Sequence, residues 1–383
     1  MVRIGQNILE MKKYIFILNI ILGFFLVSYF FFRSNESFNN IDNQNGLLTL
    51  KQKEIIFNYL KDFPNKTQMS IAFIREDSCW FYGAIKQNDT VSEIDNKFSN
   101  FEIGSITKLF TATLLADFIL DSTITLTGKI NNDLDFRINN DIQISYLELA
   151  NHTSGLPRRP SDFYLTAMKS PLNPYKAYNK EKLEKYLKEK LVLNQPGELT
   201  YEYSNLGFGI LGYTLCQIAQ CDYETLLKKK IFDKYGLTNT TSIKENISGE
   251  LVQGLGPFGN PIWNENWGSL EACAGLISSV HDLTKFAQAQ FDSNHLELAL
   301  TRESTLVVDS TLEVGLAWHI MKAKSENDWH RHNGGTFGYR SSLVIDIENK
   351  TGIIVLSNVS VGNPNKFSID DLSFELMKTI NAH

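Results

Sequence analysis

The chain is predicted to adopt an α+β fold: an antiparallel sheet built from both chain ends, flanked by terminal helices, with a large helical lobe inserted between the two strand sets. Three observations lead there. A helix-spaced run and two strand-like runs stand near the start, three β-rich runs and a helical pattern stand near the end, and residues 101–289 between them carry helical patterns and Gly/Pro-rich loops. At 383 residues the chain exceeds what one hydrophobic core usually organises, so two lobes are expected.

In order along the chain, residues 14–32, "YIFILNIILGFFLVSYFFF", are uncharged and would reach about 28 Å as a helix, close to the hydrocarbon core of a bilayer. Arg3, Lys12 and Lys13 precede them, which keeps the N-terminus in the cytoplasm and exports the rest. The exit "YFFFRSNES" lacks the small residues of a cleavage site, so residues 1–32 read as a membrane anchor, with a signal segment as the alternative. Cleavage would release the protein to the periplasm or the medium. Residues 33–46 are polar and Asn-rich and form a tether, and residues 47–383 form the folded domain.

Within that domain, the α/β part is assigned to 47–100 and 290–383 and the helical part to 101–289. Residues 48–60 have helical spacing through Leu50, Ile55, Ile56 and Leu60. Runs 69–75 and 79–85 read as a hairpin across Glu76 and Asp77, and 314–321, 341–347 and 352–356 as further strands before a helix over 370–380. The Gly- and Trp-rich stretch 254–275 has the look of a long loop over a site.

Composition narrows the functions. Apolar residues make up 43% and charged residues 21%, and a net charge of −6 offers no basic field to a phosphate backbone, so nucleic acid is not an expected partner. Cys79, Cys216, Cys221 and Cys273 form no C-x-x-C pair; Cys216 and Cys221 lie five apart, too far within one helix for the roughly 7 Å reach of a disulfide, so free, mostly buried thiols are expected. His330 and His332 make an H-x-H without further ligands close by, and no zinc is expected.

Chemistry concentrates in three places. In "FEIGSITKLFTATLL", Ser105 and Lys108 fall on one helix face, the spacing that a serine activated by a lysine requires, although a capping serine beside a stray lysine has the same pattern. Lys108 lies in a run apolar on nearly every side, where a lysine needs partners. Partners are offered by Tyr203 and Asn205 in "TYEYSNLGFGILGYTL", a hydroxyl for proton transfer and a carboxamide for hydrogen bonding; Ser204 or Asn205 could instead cap the following helix. In "WHRHNGGTFGYRSSLVIDI", His332, Gly334 and Gly335 lead toward a strand along which a substrate backbone could lie, with a backbone N–H as oxyanion donor.

Taken in order, Ser105/Lys108, Tyr203/Asn205 and His332/Gly334 resemble the three boxes of the penicillin-recognising serine hydrolases, the branch of class C β-lactamases, D,D-carboxypeptidases, D-aminopeptidases and esterases. The phrases "LELANHTSGLP", "QPGELTYEYSN", "ACAGLISSVHDLTKF" and "VGLAWHI" resemble that family too. The resemblance implies the β-lactamase/transpeptidase-like fold with its site in a cleft between the two lobes. It implies Ser105 as nucleophile, Lys108 as its base, Tyr203 as proton shuttle, Asn205 in support, and the amides of Ser105 and Gly335 as the oxyanion hole, with no metal or organic cofactor. Many relatives carry a lysine where this chain has His332, and Arg340 is the candidate for the missing charge. The expected function is an exported hydrolase acting on small-molecule or peptidoglycan-type peptide substrates, D-Ala peptides or β-lactams. Alternatives are a promiscuous carboxylesterase and a penicillin-binding sensor without turnover.

Overall fold

The computed structural model describes residues 48–170, 173–194, 200–322 and 327–380. The anchor or signal segment and the tether lie outside the described residues. No helix among the described residues is long and apolar enough to cross a membrane.

Eleven strands form two sheets among the described residues. They are β1 (Gln68–Arg75), β2 (Ser78–Gln87), β3 (Thr90–Ile94), β4 (Asn100–Glu102), β5 (Ile277–Ser279), β6 (Leu306–Val307), β7 (Leu312–Val314), β8 (His319–Met321), β9 (Trp329–Gly335), β10 (Arg340–Asp346) and β11 (Thr351–Ser357). Nine of them make one antiparallel sheet in the order β3-β2-β1-β11-β10-β9-β8-β7-β6, while β4 and β5 pair separately. The two chain ends do join: Met69 pairs with Ser357 and Arg75 with Thr351. Glu76 has φ +52 in the two-residue turn that closes the β1–β2 hairpin.

The central strands are buried on both faces, which is why they read as continuous apolar runs rather than alternating ones. One face carries Ile71, Phe73 and Val355 against α1 (Leu50–Leu60) and the C-terminal helix Ser368–Ile380, with Ile56, Leu60, Leu372 and Leu376 between. The other face carries Ala72, Ile74, Ile354 and Leu356 into the core of the helical lobe. That core surrounds α2 (Thr107–Leu120), a helix apolar all round and buried along almost its whole length, and α3 (Asn205–Ala219).

The structure departs from the sequence reading at several points. The 314–321 run is a hairpin, because the Gly315 N–H bonds back to the Trp318 carbonyl at 2.9 Å and Ala317 takes φ +68, so the chain reverses between β7 and β8. Inside the helical stretch, β4 and β5 form a short sheet that the helical periodicity concealed. His332 to Gly335 lead to strand β10 as read, but they also lie in a strand of their own, β9. Cys216 and Cys221 do not share a helix, since α3 ends at Ala219 and Gln220 turns left-handed with φ 53. All four cysteines are free, but only Cys273 is buried and Cys79 is exposed.

Candidate active site

Ser105 lies in a single 3-10 turn, Gly104–Ile106, that feeds α2. Its hydroxyl caps nothing: the residue at the N-cap of α2 is Ile106, and no side chain caps it. In the run 101–110 every residue is buried except Ser105. One turn further on, Lys108 is fully buried, and its Nζ lies 3.2 Å from Ser105 Oγ, 2.9 Å from Asn205 Oδ1 and 2.7 Å from the Cys273 carbonyl. A buried amine needs such partners, and here two of the three can only accept.

The second box is divided in labour. Ser204 is the N-cap of α3, accepting from the Gly207 N–H at 2.9 Å and donating to the Pro157 carbonyl at 2.8 Å. That leaves Asn205, the first residue of the helix, to turn its carboxamide to Lys108. Tyr203 is half-buried with its ring centroid 4.9 Å from Lys108 Nζ.

The third box comes from β9. Thr336 N–H donates to the Tyr339 carbonyl at 2.9 Å across the β9–β10 turn, which sets the phase of the ladder. Gly335 opposite Arg340 is then a non-hydrogen-bonded pair, so the Gly335 N–H points to the open edge of β9 beyond the reach of β8, which ends its pairing at His319 and Arg331. The edge lies against the Ser105 turn. A Cβ on Gly334 would sit 1.9 Å from the Ile103 carbonyl oxygen, and one on Gly104, where φ is +51, would sit 2.4 Å from Gly335 N. Ser341 Oγ on β10 holds the same Ile103 carbonyl at 2.8 Å. The first-turn amide at Ser105 has no partner within the helix, and it and the Gly335 amide are thereby brought to the same place.

Three histidines gather at the site, His319 and His332 from strands β8 and β9 and His152 from the helical lobe. His332 is buried, and its Nδ1–H donates to the Asn333 carbonyl at 2.7 Å, which leaves Nε2 as an acceptor with no partner among the described residues. His319 lies beside it, ring centroids 5.3 Å apart, with Nε2 2.7 Å from the Tyr201 hydroxyl. His152 stacks 4.4 Å from Tyr203, and its Nδ1 accepts from the Ser204 N–H at 3.2 Å. Burial pushes all three imidazoles toward the neutral form, His319 to about 4 and the other two well below the usual value, with neighbouring cations and imidazoles adding to the effect. At His332 burial therefore favours the uncharged imidazole.

Arg340 Nη2 lies 2.7 Å from Asp370 Oδ2 of the C-terminal helix, and Asn333 donates to the same oxygen at 2.9 Å. Residues 333, 335 and 340 share the face of the sheet away from the Ser105 turn, where the Arg340 charge is engaged in a buried ion pair.

Several site residues were not singled out by sequence reasoning. His152 and His319 look isolated in the chain, and the signal for each was its place in "LELANHTSGLP" and "VGLAWHI". Cys273 acts through a backbone carbonyl, which leaves no side-chain signal at all. The stretch read as a loop over 254–275 is irregular only to Trp267, then turns into a short helix, Glu271–Ala274, that carries Cys273; it is fastened midway, where the Glu265 N–H donates to the Glu102 carboxyl at 2.9 Å, three residues before Ser105.

Comparison with known proteins agrees with this arrangement. The sequence model of the beta-lactamase family matches residues 68–377, and the chain belongs to that family. Among curated relatives, beta-lactamase-like protein 2 of Dictyostelium discoideum is 26% identical over 82% of this chain and 60% of its own length; a beta-lactamase of Pseudomonas fluorescens is 26% identical over 66% of this chain and 69% of its own. The chain thus spans well short of the full length of both. Among solved structures, a beta-lactamase/D-alanine carboxypeptidase from Pseudomonas syringae superposes with a TM-score of 0.70 at 21% identity, covering 87% of this chain and 98% of that one. An octameric penicillin-binding protein homologue from Pyrococcus abyssi also reaches 0.70, at 20% identity over 86% of this chain and 76% of that one. The fold is the β-lactamase/transpeptidase-like fold that the sequence predicts.

Proposed function

We propose that the protein is an exported serine hydrolase that works through an acyl-enzyme on Ser105, cleaving peptide-like amides or esters such as D-Ala peptides or β-lactams. The observation that carries this reading is the surroundings of Lys108 Nζ. Asn205 Oδ1 and the Cys273 carbonyl only accept, so each takes one hydrogen of the amine, and the third position of Nζ faces Ser105 Oγ, 3.2 Å away, where a proton can be exchanged with the hydroxyl. Ser105 Oγ then attacks the substrate carbonyl while its proton passes to Lys108. The oxyanion forms between the amides of Ser105 and Gly335. Tyr203 delivers a proton to the leaving group as the carbonyl–leaving-group bond breaks, and water later hydrolyses the ester on Ser105.

An esterase of the same fold is the second reading, and it is supported by the engagement of Arg340 with Asp370 and by burial, which favours the neutral imidazole at His332. Export rests on residues 14–32, whose apolar length and flanking lysines support a single-pass anchor with the catalytic domain outside the cytoplasm.

Intact mass spectrometry after incubation with a penicillin, a D-Ala-D-Ala peptide and a short acyl ester tests the reading. An adduct on Ser105, or hydrolysis that disappears in Ser105→Ala, is expected. Hydrolysis of every substrate class surviving in Ser105→Ala overturns it. A penicillin adduct that persists without turnover identifies the sensor alternative.

A further inference from the structure

Charge is unevenly divided across the cleft. On the strand wall His319 and His332 are neutral, Arg340 is paired with Asp370, and Arg331 lies over the Phe374 ring of the C-terminal helix, 5.5 Å from its centroid. On the helical wall stands Arg158, in "GLPRRP". It is exposed, and its guanidinium carbon is 5.1 Å from the centroid of the Tyr203 ring. Its main chain is fixed to the second box: the Arg158 carbonyl accepts from the amides of Asn205 and Leu206, both at 3.2 Å. Among the described residues no carboxylate is within ion-pair distance of its guanidinium; Asp162, nearby in sequence, is taken by Lys190 at 2.9 Å. The adjacent Arg159 packs elsewhere, 5.4 Å from the Phe163 ring.

We propose that Arg158 is a specificity-determining residue that holds a carboxylate of the substrate on the helical wall of the cleft beside Tyr203. A guanidinium offers a planar fork that matches a carboxylate, and stacking on Tyr203 orients it before substrate arrives. The position makes a further demand: the carboxylate must stand on the side of the scissile carbonyl that faces Tyr203 rather than along the strand edge. The proposal rests on Ser105 being the nucleophile of the same site.

Three esters of matched reactivity test it: one neutral, one with a carboxylate on the acyl part, one with a carboxylate on the alcohol part. They are compared on wild type, Arg158→Gln, Arg158→Lys and Ser105→Ala, with thermal melting as the folding control. Arg158→Gln is expected to lower the ratio of anionic to neutral kcat/KM by about 10- to 100-fold for one of the two anionic esters, mainly through KM, with Arg158→Lys in between. Which ester responds tells on which side the carboxylate sits. Equal loss on all three esters, or no loss on any, in a variant that melts like wild type overturns the proposal. Survival of all hydrolysis in Ser105→Ala overturns the nucleophile assignment instead, and the two failures are read from different variants.

Discussion

Lys108 and His332 face the same cleft from opposite walls, and the contrast between them separates the chemistry of this protein from its recognition. Lys108 is fully buried with three polar partners, all supplied by the helical lobe and the short helix that carries Cys273. His332 is equally buried, but it is tied only to its own neighbour's carbonyl and presents an unpartnered Nε2. A buried polar group is costly unless satisfied, so a fully satisfied lysine and an unsatisfied imidazole on one cleft mark two different demands. In the proposed mechanism the helical wall serves proton transfer, whereas the strand wall supplies shape and the Gly335 backbone donor.

The largest expected effect comes from breaking the organised wall. Lys108→Ala should slow acylation by about a thousandfold or more, as expected when a nucleophile loses its base. It should also destabilise the fold by about 1–3 kcal/mol, since Asn205 Oδ1 and the Cys273 carbonyl lose their donor. His332→Asn should cost no more than about tenfold; a loss of the 10²- to 10⁴-fold size typical of an acid–base group would erase the contrast. Single-turnover kinetics with a chromogenic ester, beside thermal melting, measure both.

Next in size is the joint between the walls. Gly104→Ala places a Cβ 2.4 Å from Gly335 N on a backbone with φ +51, so either the Ser105 turn or the β9 edge must move. Displacing an oxyanion donor should lower kcat by about 10²- to 10³-fold. A Gly104→Ala variant with wild-type kcat would show that the amides of Ser105 and Gly335 do not act together.

How far the sequence foretells this follows the same division. Strands at both ends, a helical middle and the three boxes are legible because periodicity and residue type are local properties. The Ser105/Lys108 spacing needs only helix geometry. What stays hidden is carried by the backbone or by distant pairing: the Cys273 carbonyl, the phase of the β9–β10 ladder that aims Gly335, and the Asp370 carboxyl that takes Arg340 out of the cleft. Arg340 shows the limit well, since an arginine after a Gly-rich stretch reads as available until the helix more than twenty residues later is seen to hold it.

Titration adds a second comparison, because the buried imidazoles of the site and the buried Glu265 carry opposite pH liabilities. Burial lowers His319 from the usual 6.5 to about 4, so the unfolded chain binds its proton first; stability is present above about 6.5 and is lost as pH falls toward 4, on the order of 3 kcal/mol from this residue alone. His152 and His332 add in the same direction. Glu265 behaves oppositely: burial, and then the neighbouring Glu102 carboxyl, raise it from 4.5 to about 8, so its contribution is complete below 4.5 and is lost as pH rises through 8. Urea melts across pH 4 to 9 should show a maximum between these limits. Glu265→Gln should reduce the alkaline decline, to which the buried Glu271, raised to about 7, also contributes, and leave the acid one in place, and a parallel change on both sides would mean the two sets of groups are not independent.

The smallest effect tests whether the strand wall is held together or merely packed. Tyr201→Phe deletes the hydroxyl that lies 2.7 Å from His319 Nε2 and leaves the ring, 6.1 Å from the imidazole, in position. The loss of one buried hydrogen bond should cost about 1 kcal/mol. Its diagnostic value lies in the His319 titration followed by NMR. In the neutral ring one nitrogen donates and the other accepts, so removing the tyrosine frees Nε2 to change its role, and the tautomer populations should shift while the ring stays neutral at pH 7. If the tautomer is unchanged, the imidazole is fixed by packing against His332 and Tyr203, and the order of the strand wall owes nothing to Tyr201. If the ring instead becomes protonated near neutrality, burial is not what keeps this wall uncharged, and a carboxylate would find a cation there after all.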